Sequence, residues 1–316
     1  MTPAPIVLFT YNRPEHTRRT VEALQRNSSA AESDLFIYSD GPRPGDEGKV
    51  TRVRAYLKTV AGFRSVTVIE RNRNWGLADS IVDGVTTTVG CHGRVIVLED
   101  DIITAPAFLS YMNDALEQYA DTPEVMHIGG YMFPLKDDRL PERFFLRQSL
   151  CWGWGTWARA WRYFHRDAEQ YIGKFNEENI RLFNMNGAYD YWAQLLANNS
   201  GKMRTWAVYW YACVFSRGGL CLSSRDSFVA NIGFDGSGEN CGVAKHLNVG
   251  LRTVAYQPFS PVELRNDEDA TRLIGEFLRR RLPLLKREFS FLRFMGKMKK
   301  AAKNILRIGE MCDRQY

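Results

Sequence analysis

The sequence predicts an α/β fold: a Rossmann-like, mainly parallel mixed sheet with helices on both faces. Three observations predict it. Short apolar runs alternate with helical segments four times in the first 120 residues. Each run ends in polar residues or a turn signal. The composition, 45% hydrophobic and 25% charged over 316 residues, is that of a globular chain with ample core.

The elements follow in order. Residues 5–10, PIVLFT, read as a buried strand. Residues 14–26 open with Pro14-Glu15 and place Val21 and Leu24 at helical spacing. LFIY at 35–38 makes a second strand, closed by Ser39-Asp40-Gly41-Pro42. Residues 49–59 form a second helix, SVTVIE at 65–70 a third strand and 76–88 a third helix. RVIVL at 94–98 gives a fourth strand that runs into Glu99-Asp100-Asp101, with a helix from about Pro106 to Tyr119. Beyond Met126 short strands such as FFLR at 144–147 mix with aromatic-rich segments, and the chain is helical in composition from Ala270.

In a parallel sheet, ligands bind beyond the carboxyl ends of the strands. The polar residues that close the strands therefore meet on one edge: Tyr11 to Arg13, Ser39-Asp40, Asn72 to Asn74, and Glu99 to Asp101. Neither GxGxxG nor GxxxxGK[ST] is present, which argues against a dehydrogenase or P-loop enzyme. Three adjacent acids ending a buried strand repel one another and call for a compensating cation. A hard divalent ion suits them, and such an ion can hold a diphosphate. The alternative is an acidic lead-in to the following helix.

LFTYNRPEHTRRTVEAL, IYSDGP, ERNRNWGLADSIVDGV and VIVLEDDIITAPAFLSYMN, in this order, resemble the nucleotide-binding elements of GT-A glycosyltransferases. The group resembled is that of N-acetylglucosaminyltransferase I and the bacterial surface-polysaccharide sugar transferases, over about residues 5 to 242. The resemblance implies that Arg13 faces the nucleotide and that Asp40 accepts a hydrogen bond from the base. Asn74 and Gly76 would line the donor pocket, Asp100 would reach the ribose, and Asp101 would coordinate Mn²⁺ or Mg²⁺. Thr10 and Glu99 complete the donor-side set. Each has a plainer reading: Asp40-Gly41 as a turn, Asn74 to Gly76 as a helix lead-in, Arg13 as an exposed helix start.

Trp152, Trp154, Trp157 and Trp161 fall within ten residues. Their faces suit sugar rings, and the segment resembles a stretch near donor and acceptor in the same family, which adds Trp154 to the donor site. Aromatics also fill cores, and half of these are expected to do so. Asp190 is the only carboxylate between residues 179 and 225, which makes it the candidate general base for the acceptor hydroxyl; its alternative is the N-cap of a helix at 191–197. The family motif often sets its carboxylate beside the Trp, whereas Tyr191 intervenes here. The glycine-rich stretch Asn231 to Cys241 could act as a lid. Asn240 stands where relatives often carry a His, and His246 is a possible substitute.

The net charge of +6 divides unevenly. Residues 271–316 carry +9 and the rest −3. Leu282, Leu285, Phe289, Leu292 and Met295 recur at three to four residues with Lys and Arg between them, the pattern of a basic amphipathic helix on an anionic membrane. Packing of that stripe on the body is the alternative, and no nucleic-acid module accompanies it. Six cysteines without a CxxC pair point to free thiols, and the N-terminus lacks the features of a secretory signal. A cytoplasmic protein, peripheral on the inner membrane face, is expected.

The expected organisation is a nucleotide-sugar-binding half at 1–120, an acceptor and catalytic half at 121–265, and a basic helical tail at 266–316. The function expected is inverting, metal-dependent transfer from a nucleotide-diphosphate sugar, UDP-linked by preference. The acceptor would be a glycan or polyprenyl-linked glycan in lipopolysaccharide or capsule synthesis. A sugar-nucleotide pyrophosphorylase is disfavoured because TYNRPEHT after the first strand holds no glycine. A non-catalytic glycan- or nucleotide-binding protein is the remaining alternative.

Overall fold

A computed structural model describes residues 2–135, 139–236, 247, 249–252 and 256–280. Its first half alternates as the sequence implies: β1 (Ile6–Thr10), α1 (Pro14–Gln25), β2 (Asp34–Ser39), α2 (Glu47–Leu57), β3 (Ser65–Glu70), α3 (Leu77–His92), β4 (Arg94–Glu99), β5 (Ile102–Thr104) and α4 (Phe108–Gln118). There follow β6 (Val125–Gly129), β7 (Arg143–Leu146), β8 (Trp154–Trp157), α5 (Ala158–Trp161), α6 (Glu169–Ile172), α7 (Glu177–Phe183), α8 (Tyr191–Asn199), α9 (Ala207–Ser216), β9 (Leu220–Ser224) and β10 (Val229–Asn231). A further helix occupies 268–280.

Eight strands form one mixed sheet in the order β3-β2-β1-β4-β8-β6-β9-β7. β3, β2, β1 and β4 are parallel, and β8 inserts antiparallel between β4 and β6. This is the GT-A α/β architecture. β1 is buried along its whole length because both faces are covered. Ile6 and Leu8 join the core beneath α1, α2 and α4, whereas Val7 and Phe9 join the core beneath α3 and α9. Pro14 opens α1 at a position that needs no amide donor, and the Arg13 carbonyl takes the Thr17 N–H at 3.0 Å. The sheet thus delivers the ends of β1, β2 and β4 to one edge.

Two features lay outside the sequence expectations. WGTW is a strand, not only an aromatic segment. β5, directly after the acidic triplet, pairs antiparallel with β10 more than a hundred residues later. Among the described residues no helix is long and apolar enough to cross a membrane. Cys91, Cys151, Cys213 and Cys221 are free thiols. The stripe from Leu282 to Met295, Asn240 and His246 lie outside the described residues.

Candidate active site

The edge carries two clusters. The first gathers Arg13, Asp100 and Asp101. The Arg13 guanidinium bonds the Asp100 carboxylate through Nη2, which also lies 2.9 Å from Asp101 Oδ2. Tyr11 donates its backbone N–H to Asp100 Oδ2 at 3.4 Å, and the Thr20 hydroxyl holds the Asp100 carbonyl at 2.9 Å. Both aspartates are almost fully buried. Burial and the neighbouring acids raise the pKa of Glu99, and burial raises that of Asp100 despite Arg13. Burial works against the charge of Arg13, but attraction to the two aspartates outweighs it and its pKa rises.

Among the described residues, two buried polar atoms in this cluster have no partner: Asp101 Oδ1 and Arg13 Nη1. A buried carboxylate oxygen left without a donor is costly and marks where a cation or donor belongs. Among the described residues no group of three metal-ligating side chains converges. A nucleotide-bound Mg²⁺ or Mn²⁺ does not need one, since one or two carboxylates, phosphates and water complete its shell. The donor set fits such an ion through Asp101 Oδ1.

The strand pair β5–β10 covers this cluster. Ile232 donates its N–H to the Asp101 carbonyl at 2.9 Å. At Gly233 an added Cβ would lie 2.2 Å from Asp101 Oδ2, so only glycine lets the backbone pass. His16 Nε2 in α1 sits 3.1 Å from Asp235 Oδ2 and ties the covering segment down. Gly233 was legible only as part of a glycine-rich stretch, and its contact with Asp101 carried no sequence signal.

The second cluster is built around Asp40, which is 6% exposed. Its carboxylate accepts backbone N–H groups from Trp75 at 2.8 Å and Gly76 at 2.9 Å, and the Asn74 amide at 3.0 Å. Asn74 also donates to the Gly41 carbonyl and accepts from Arg43 Nε, each at 3.0 Å. Gly76 has φ +79°, which suits glycine, and leads into α3. Asp40 therefore pins the loop that Asn74 and Gly76 build. Thr10 is buried, and its carbonyl accepts the Asp40 N–H at 2.9 Å, so it positions Asp40 through the backbone. Trp75, not a sequence candidate, lies beneath Arg71 with its Nε1–H buried and unpartnered.

Trp154 must be corrected. It is 1% exposed and packs among Trp161, Trp206, Trp210 and His127, so no ligand reaches its ring. Trp157 and Trp161 are buried as well. Trp152 is the tryptophan of this segment nearest the covering loop: it is half-buried and meets Phe234 edge-on at 5.3 Å.

Asp190 is exposed and caps α8, with Oδ1 accepting from the Ala193 N–H at 2.9 Å and the Asn184 amide at 3.3 Å. Among the described residues Oδ2 takes no hydrogen bond, so the cap leaves one oxygen free. No hydrogen bond or ion pair joins Asp190 to the acidic cluster.

Residues 6–192 match Glycosyl transferase family 2. No curated protein matches the chain significantly. Among solved structures, a mannosyltransferase from Pyrobaculum calidifontis, in complex with GDP-Man and Mn²⁺, is 10% identical. It covers 69% of this chain and 70% of its own, with a TM-score of 0.40. Mouse xyloside xylosyltransferase 1, in its apo form, is 13% identical over 68% of this chain and 81% of its own, with a TM-score of 0.36. TarS of S. aureus is 13% identical over 44% of this chain and 23% of its own, with a TM-score of 0.32. The family match, over more than half of the chain, is what places it.

Proposed function

The chain belongs to glycosyl transferase family 2, and we propose that it moves a sugar from a nucleoside-diphosphate donor with Asp101 holding a divalent cation. The observation that carries this reading is the unpartnered Asp101 Oδ1, buried beside Asp100 and Arg13 at the carboxyl edge of the sheet. The cation, when bound, offsets charge on the departing diphosphate. Arg13 pairs with both aspartates and supplies a second positive charge to the same region. The loop that Asp40 fixes presents Asn74 to Gly76 at the neighbouring strand end, where a nucleoside would lie.

Asp190 is proposed as general base. Its free oxygen takes the proton of the acceptor hydroxyl, the hydroxyl oxygen bonds to the anomeric carbon, and the bond to the diphosphate breaks with its electron pair leaving on the nucleotide. Attack opposite the leaving group inverts the anomeric centre. The resemblance to the N-acetylglucosaminyltransferase I group and bacterial surface-polysaccharide transferases favours a UDP-sugar donor and a glycan or polyprenyl-linked acceptor. The +9 carried by residues 271–316 supports attachment to the inner face of an anionic membrane.

Calorimetry with UDP and Mn²⁺ tests the reading. Asp101→Ala should abolish the metal-dependent binding heat, whereas Asp190→Ala should retain it and lose turnover. Metal-dependent binding that survives in Asp101→Ala removes that residue as ligand, and retained turnover in Asp190→Ala removes it as base.

A further inference from the structure

A cavity of about 360 Å³ lies far from the acidic edge, lined by Arg162, Tyr163, His165, Tyr171, Lys174 and Arg217 among others. Its position follows from the topology. β8 ends at Trp157 opposite Arg94, the first residue of β4, and α5 starts there. α9 ends just before β9, whose Leu220 N–H bonds the Glu124 carbonyl at the start of β6. Both elements therefore reach the edge where β4 begins, opposite the edge where it delivers Glu99 to Asp101.

The cavity is positive and incompletely satisfied. The Arg217 guanidinium lies 3.3 Å from the centre of the Tyr163 ring, and that of Arg162 lies 4.7 Å from it while donating to the Tyr163 hydroxyl at 2.6 Å. Among the described residues neither arginine nor Lys174 makes an ion pair. The nearby Asp167 carboxylate accepts from the Glu169 N–H and the amide of Gln170, which also lines the cavity. At the base Tyr171 is 3% exposed, and its hydroxyl lies beside the Cys213 thiol with no nitrogen or oxygen partner among the described residues. The neighbouring Cys213 thiol gives its proton to the Tyr163 carbonyl at 3.2 Å. His165 stacks on Tyr171 at 4.8 Å, and its Nδ1 is likewise buried and unpartnered. Three exposed cations that make no ion pair among the described residues line one cavity with a buried tyrosine hydroxyl at its base, an arrangement that suits a compact anion with several acceptor oxygens.

We propose that this cavity is a second ligand site, distinct from the donor site, that takes a phosphate group. Its oxygens would accept from the Tyr171 hydroxyl and from the Arg162, Arg217 and Lys174 cations. The phosphate could belong to a soluble phosphomonoester or to a lipid headgroup, and the test separates the two.

The full-length protein, without Mn²⁺ or nucleotide, is titrated calorimetrically with inorganic phosphate and with glucose 1-phosphate. It is also sedimented with phosphatidylcholine vesicles with and without phosphatidic acid. Arg217→Gln should weaken phosphate binding by on the order of tenfold, and Tyr171→Phe by about fivefold. Arg181→Gln, an exposed control outside the cavity, should bind as wild type. Saturable binding of the soluble probes identifies a free phosphomonoester. A response confined to phosphatidic acid, reduced in Arg217→Gln, identifies a headgroup. The proposal is overturned if no probe binds, or if Arg217→Gln and Tyr171→Phe bind every probe as the wild type does.

Discussion

His127 sits in the middle of β6 with no exposed surface, stacked on Trp154 at 5.4 Å. Its Nδ1 accepts from Trp210 Nε1 and its Nε2 donates to the Leu150 carbonyl, each at 3.2 Å. The ring is therefore neutral, and burial pushes its pKa down from 6.5 to about 3. In the unfolded chain it returns to about 6.5. Between these values the unfolded state holds a proton that the folded state lacks, so stability is present above pH 6.5 and falls as the solution is acidified. At about pH 5 the gap of roughly 1.5 pH units costs about 2 kcal/mol. The perturbation is His127→Gln, which keeps a donor and an acceptor but does not titrate. Its stability at neutral pH should fall by about 1–2 kcal/mol from imperfect replacement of the two hydrogen bonds. Its further loss on going to pH 5 should be smaller than that of the wild type by about 2 kcal/mol. Urea unfolding followed by tryptophan fluorescence at the two pH values measures both. Equal acid-induced losses in wild type and variant would refute the assignment of a neutral, unprotonatable His127.

Three other expectations concern the edge and its supports. Asp40→Ala strips the partner from the Trp75 and Gly76 N–H groups and should cost about 2–4 kcal/mol in thermal or urea unfolding; unchanged stability with lost nucleotide affinity would instead make Asp40 a base-binding residue. Gly233→Ala drives a Cβ into Asp101 and should weaken metal-dependent nucleotide binding by at least about tenfold, with a stability loss of about 1–3 kcal/mol; wild-type calorimetry would show that the cover does not constrain the carboxylate. The hydrogen bond from Arg64 holds Asp34 down at about 2, so it stabilises the fold at neutral pH and stops doing so as pH falls towards 2. Because Arg64 is half exposed, Asp34→Asn should cost only about 1 kcal/mol at pH 7, the gap to wild type shrinking to roughly half by about pH 3. A gap that stays constant from pH 7 to pH 3 would assign the effect to packing.

The first four strands and their helices were legible because their apolar periodicity is strong and each ends in a turn or a cap. SVTVIE, for instance, forms β3 with the bounds its alternation implies. The gathering of Arg13, Asp100 and Asp101 was legible too, since a parallel sheet delivers its strand ends to one edge. The tryptophan segment was not. Counting tryptophans says nothing of which way each ring points, and the antiparallel pairing of β8 with β4 turns Trp154 into the core. The closure of β10 on β5 was invisible for a different reason. It joins residues distant in sequence through backbone groups, which leave no trace in side-chain pattern. Asp40 shows a third limit: SDG reads as a turn or as a ligand site, and its use as a loop anchor depends on three donors from residues 74–76.

The cover that Gly233 provides has a consequence for how the protein is made. Arg13, Asp101 and Gly233 are supplied by three widely separated stretches, and the last lies beyond residue 192, where the family match ends. During synthesis β1 to β4 can pair from contiguous chain, leaving the two aspartates formed but open to water. Their cover from β10 is in place only after β10 has emerged and docked on β5. Closing so long a loop is slow relative to the local pairings. The cover over the acidic cluster therefore forms after the local pairings, and a nascent or truncated chain that stops short of β10 would display its carboxylates without that cover.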